Sequence, residues 1–115
     1  MNRTEFIGNL TADPEQRAVS DTAAVTNFTV AVNERTRTGT ITTFYRVSAW
    51  GKLGDVCRDN LHKSSKVRVS GTVSARAFIG QDGNPRASLE VRAREVEFLT
   101  PRPRDNDGTE YAPMN

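Results

Sequence analysis

The sequence predicts an all-β domain in which five strands close into a small barrel, with one short helix between the third and fourth strands. Three observations predict it. Apolar residues alternate with period two over several segments, one segment alone switches to helical spacing, and Gly, Pro, Asn and Asp cluster at the breaks between them. The chain of 115 residues has room for one modest core. Its composition, 36% apolar and 26% charged with a mean hydropathy of −0.59, holds no run long enough for a helical membrane span.

Residues 3–10 read as the opening strand, followed by a turn over 12–15 in which Pro14 sets the chain direction and a second break at 20–22. Residues 24–33 alternate, with Phe28, Val30 and Val32 on one face and Asn27, Thr29 and Ala31 on the other. A polar hairpin loop over 34–40 leads into the third strand, 41–50. Over 52–62 the apolar residues Leu53, Val56, Cys57 and Leu61 form one stripe of a helix. Residues 66–78 return to period two, with Val67, Val69, Val73 and Ala75 inward and Gly71 at a sharp barrel bend. A hairpin tip over 80–85 precedes the last strand, 86–99. There Leu89, Val91 and Ala93 hold one parity and Val96 and Phe98 the other, so a bulge is expected near Arg94-Glu95. Residues 100–115 contain three of the five prolines and almost nothing apolar, and read as a disordered tail. Five strands with a helix between the third and fourth is the element order of an OB-fold, a Greek-key barrel.

The third strand carries the chemistry. Its odd positions, Ile41, Thr43, Tyr45, Val47 and Ala49, suit a core; its even positions are Thr42, Phe44, Arg46, Ser48 and Trp50. An unpaired buried charge costs several kcal/mol, roughly, so Arg46 turns the even face to water and brings Phe44 and Trp50 with it. The fourth strand repeats the arrangement with Arg68, Ser70, Thr72, Ser74, Arg76 and Phe78. Flat rings interleaved with cations on an exposed sheet are what single-stranded nucleic acid requires, rings for bases and cations for phosphates. Arg35, in the polar loop, joins the candidate set, while Phe6, Phe28 and Phe98 go to the core.

Charge supports this only modestly. Residues 100–115 carry two arginines against three acids, which leaves the body a surplus of about three positive charges. Catalysis and metals find little footing. His62 ends the predicted helix as a cation, Cys57 lies on the apolar stripe, and Asp55 and Asp59 share a helix with Lys52, Arg58 and Lys63 as a mixed-charge face. No phosphate-cradling glycine loop occurs. The expectation is a binding protein with no catalytic residues, metal, cofactor or small-molecule substrate. The N-terminal MNRTEFIGNL has no signal or transit character, so a cytoplasmic location is expected.

Five collinear segments then carry a resemblance: NRTEFIGNLTADPE at 2–15, AVTNFTVAV at 24–32, TFYRVSAWGKL at 43–53, the Leu-x-Lys-x-Ser-Lys-Val-x-Val-x-Gly stretch at 61–71, and QDGNPRASLEV at 81–91. Over residues 1–99 the chain resembles the bacterial and phage single-stranded DNA-binding proteins. The resemblance implies an OB-fold homotetramer that binds single strands without sequence preference in DNA replication, repair and recombination. It implies base stacking on Phe44, Trp50 and Phe78, with Arg3, Arg46, Lys52, Lys63, Arg76 and Arg86 near the backbone. Three departures stand out. Thr36 falls where many members carry a loop tryptophan, Tyr45 where some carry an interface histidine, and the chain ends Tyr111-Ala112-Pro113-Met114-Asn115 in place of an acidic tip with a terminal Pro-Phe. Recruitment of repair partners through such a tip is therefore not expected.

Two other classes share parts of the pattern. A primosome or replication-restart accessory protein of the same fold would act mainly through a protein partner, and an OB-fold nuclease would need clustered carboxylates, which this sequence scatters.

Overall fold

A computed structural model describes residues 1–99, and the tail expected over 100–115 lies outside the described residues. In chain order the elements are β1 (Thr4–Leu10), β2 (Glu15–Ala18), β3 (Ala24–Thr36), β4 (Gly39–Trp50), α1 (Gly51–Asn60), β5 (Lys66–Ile79) and β6 (Pro85–Phe98). Neighbouring strands run in the order β1-β5-β6-β4-β3, and β1 pairs back to β3 through Asn9–Ala31 and Leu10–Val30, closing a five-stranded barrel. β4 and β6 run parallel over Tyr45–Ser48 and Leu89–Arg92; the other pairs are antiparallel. This is the OB-fold arrangement, with the helix following β4.

The expected period-two faces fill the barrel except at the outer end of β4, where Ile41, expected on its core face, is 56% exposed. Val30, Val47, Val67, Val69 and Val91 are fully buried, and Phe6, Phe28 and Phe98 pack with them. Tyr45 joins this core by stacking on Phe6, with ring centroids 4.0 Å apart and planes 9° from parallel. Helix α1 closes one end, burying Cys57, with Leu61 just past its last turn. Thr26 fixes that lid, its buried hydroxyl donating to the Gly54 carbonyl at 2.8 Å. Gly71 sits at the expected bend, where a Cβ would run into the backbone of Arg92. Opposite it, Ser70 pairs with Glu95 and Gly71 with Ala93, so Arg94 is the extra residue of a bulge. That extra residue reverses the parity of β6 and lets Val91 and Phe98 both face inward.

Four readings need correction. Residues 15–18 form a strand rather than the end of a turn, β2, paired to β3 from Glu15–Asn27 to Ala18–Ala24. Four residues bounded by polar breaks carry too little alternation to announce themselves, and β3 supplies the template. The loop placed at 34–40 is mostly ladder, since pairing continues to Thr36–Gly39 and only Arg37 and Thr38 form the turn. Val56, assigned to the helix stripe, is exposed: α1 meets the barrel through Gly54 and Cys57, which narrows its buried face. Ala75, assigned inward, is exposed, because the outer half of β5 leaves the barrel with β6 as a hairpin and has no second layer to face.

Candidate nucleic-acid interface

The even face of β4 points away from the core, and the strand register extends it sideways. Residues directly opposite in adjacent strands share a face. Phe44, Arg46, Ser48 and Trp50 on β4 therefore stand beside Ala31, Thr29, Asn27 and Val25 of β3. On the other side Arg46 and Ser48 stand beside Glu90 and Arg92 of β6, which lie next to Ser74 and Thr72 of β5. Farther out on the same ladder, Arg76 faces Ser88 and Phe78 faces Arg86. Four strands thus present one outer surface, interrupted beside Trp50 by Val25, which is buried. Phe44 is 56% exposed and Phe78 43%, a large apolar area left in water on two different strands. Trp50 is half-buried, and the guanidinium of Arg92 lies over its ring, 5.4 Å from the centroid.

A groove of about 960 Å³ runs across this surface, with Arg17, Arg46 and Arg76 among its walls. Polar side chains of Asn27, Thr29 and Ser48 line it, and Asp13, Glu15 and Glu90 contribute carboxylates. Arg76 approaches Glu90 at 3.9 Å with its own side chain 71% exposed, an ion pair weak enough to exchange for a phosphate. Arg46 makes no ion pair among the described residues. The three aromatics flank the groove along their strands: Phe44 is two residues from Arg46, Trp50 two from Ser48 and Phe78 two from Arg76.

The other candidate residues are dispersed. Arg68, although on the even parity of β5, sits beside β1, opposite Ile7, and bonds Glu97 at 2.6 Å and Glu5 from the neighbouring strands. The hydrogen bond that Arg68 donates to Glu97, with Glu5 beside it, raises the Arg68 pKa and satisfies the guanidinium within the fold. Arg86 reaches Asp82 at 2.9 Å across the hairpin tip. The Asp82 carboxyl is lowered chiefly by the Asn84 backbone N–H and secondly by Arg86. Arg3 reaches Ser70 Oγ at 3.4 Å, and Arg35 is exposed on the β3 arm opposite Thr40. Lys52 lies exposed in the first turn of α1, directly after the Trp50 strand end. Lys63 is exposed, its backbone N–H donating to Asp13 Oδ1 at 2.7 Å and so tying the 11–13 loop beside the groove to the segment after the helix.

Two cations on this surface escaped the sequence reading, Arg17 and Arg92. Nothing local marks Arg17, which reaches the groove only because β2 pairs with β3. Arg92 had a signal: it alternates with Val91 and Ala93 and must point away from them. Cys57 offers no chemistry here. It is fully buried, and desolvation pushes its thiol up to about 12.

The sequence profile of the Single-strand binding protein family matches residues 1–99. A protein of Chlorobaculum tepidum named Single-stranded DNA-binding protein 2 is 38% identical over 116 residues, covering 96% of this chain and 78% of that protein. The Single-stranded DNA-binding protein of Caldanaerobacter subterraneus is also 38% identical, over 89% of this chain and 70% of its own length. Single-stranded DNA-binding protein 2 of Clostridium acetobutylicum is 36% identical, over 86% and 77%.

Proposed function

From its membership of the Single-strand binding protein family, to which the chain belongs, we infer that this protein binds single-stranded DNA and serves replication, repair and recombination as a binding protein rather than an enzyme. The observation that carries the reading is the outer face of β4, β6 and β5. Exposed Phe44 and Phe78 and half-buried Trp50 alternate along their strands with Arg46 and Arg76, and a groove lies between them. Bases stack on the rings and phosphates meet the guanidiniums. Neither contact reads a base edge, so binding is indifferent to sequence.

Within this reading Phe44, Trp50 and Phe78 are the stacking residues and Arg46 and Arg76 the principal phosphate contacts. Arg3, Arg35, Lys52, Lys63 and Arg86 extend the positive field around them. Arg68 is assigned to the fold instead, since its two carboxylates already balance its charge. We assign the protein to the cytoplasm and to a homotetramer. The outer half of β5 and the start of β4 support assembly by leaving ladder edges that a second copy can pair. Among the described residues no helix is long and apolar enough to cross a membrane.

The test is a titration of a homopolymeric single strand, an RNA and a duplex of equal length at two salt concentrations, with light scattering on the free protein. Saturable, salt-sensitive binding to the single strand with little to the duplex is expected, together with a tetramer mass. Equal affinity for duplex would refute the stacking mode, because paired bases have no free faces.

A further inference from the structure

Trp50 does not present a bare ring. The guanidinium carbon of Arg92 lies 5.4 Å from its centroid, within cation–π range, so one face is occupied before any ligand arrives. Register makes the contact possible: β6 carries Arg92 beside Ser48 of β4, and Trp50 is two residues farther along the same outer row. Arg92, like Arg46, stands apart from the ion-paired cations near this surface. Arg76, Arg86 and Arg68 each approach a carboxylate, whereas Arg92 makes no ion pair among the described residues. Its charge is held by a ring, and a ring is what an incoming base requires.

We propose that Arg92 is a further nucleic-acid-binding residue, a cation held over Trp50 in the free protein and transferred to a backbone phosphate when a base stacks on that ring. The exchange conserves interactions on both sides. Trp50 trades a cation for a base, and Arg92 trades the ring for a phosphate, with no buried acid to leave behind. Its position suits both states, since Arg92 lies between Ser48 and Thr72, two small polar residues that leave its long side chain room to swing. The proposal rests on the single-strand reading above and adds to it a residue and an order of events.

The test compares wild type, Arg92→Ala and Arg92→Lys by titration with an oligothymidine single strand at several salt concentrations. The emission of Trp50, the one tryptophan, is followed alongside an independent mobility assay. Arg92→Ala is expected to bind several-fold more weakly at low salt and to lose about 0.7 from the slope of log affinity against log salt, the value for one single-strand contact. Its free-state emission should also differ from wild type, because the ring is uncovered before binding. Arg92→Lys should restore the slope. Arg92 is exposed, and a thermal melt checks that the variants fold. Tighter binding by Arg92→Ala at an unchanged slope would make Arg92 a mere cover on the ring and overturn the proposal. An unchanged affinity and slope would also overturn it. Failure of the wild-type protein to bind would instead refute the single-strand reading itself.

Discussion

Truncating Phe78 to alanine separates a stacking role from a packing role, because the two predict losses in different measurements. Phe78 is 43% exposed, so folding already hides a little over half of its surface. Full burial of a phenylalanine is worth up to about 3 kcal/mol, and Phe78 stands on the outer hairpin opposite Arg86, away from the barrel core. Removing the ring therefore costs the fold about 2 kcal/mol at most, a fall in Tm of no more than about 16 °C for a domain of this size. Loss of a base-stacking aromatic costs about 1–3 kcal/mol of binding, which is about 5-fold to 150-fold in Kd. Fluorescence anisotropy with a labelled oligothymidine, beside a thermal melt of the same sample, reads both. The expected result is a rise in Kd within that range with a small change in Tm. A drop in Tm beyond about 16 °C with unchanged affinity would place the ring in the core and refute the parity argument from which its role was derived.

Further outcomes follow from the same geometry. Arg46→Ala and Arg76→Ala should each flatten the salt dependence of single-strand affinity by about 0.7, and an affinity insensitive to salt in the wild type would sink the phosphate assignment. Gly8→Ala should destabilise the fold by several kcal/mol, roughly, because the added Cβ meets the Ala31 carbonyl at the β1–β3 closure; a melt matching wild type would mean that this seam yields freely. Cys57 should resist alkylation at neutral pH until the protein unfolds, measured by mass spectrometry with and without denaturant. Since burial raises this thiol to about 12 from an ordinary value near 9, its contribution to stability is complete below the unfolded value and is lost as pH rises from there through about 12.

Much of this was legible in the chain because strand faces are written at period two. Arg46 between Phe44 and Ser48 announces a wet face, the valines of β5 announce a dry one, and the switch of parity along β6 announces the extra residue that the structure assigns to Arg94. Each inference uses neighbours within a few positions, where backbone geometry alone dictates which side a residue takes. Partners far apart in sequence obey no such period. β2 exists because β3 offers it a ladder, and Arg68 shares the parity of Arg76 yet meets Glu5 and Glu97, 63 and 29 residues away. The parallel pairing of β4 with β6 brings Arg92 over Trp50, a contact between residues 42 positions apart. Local sterics therefore determined which side chains face water. Chain closure, in which barrel curvature and strand order bring distant segments together, decided which of those exposed cations already have a partner and which remain available for a phosphate.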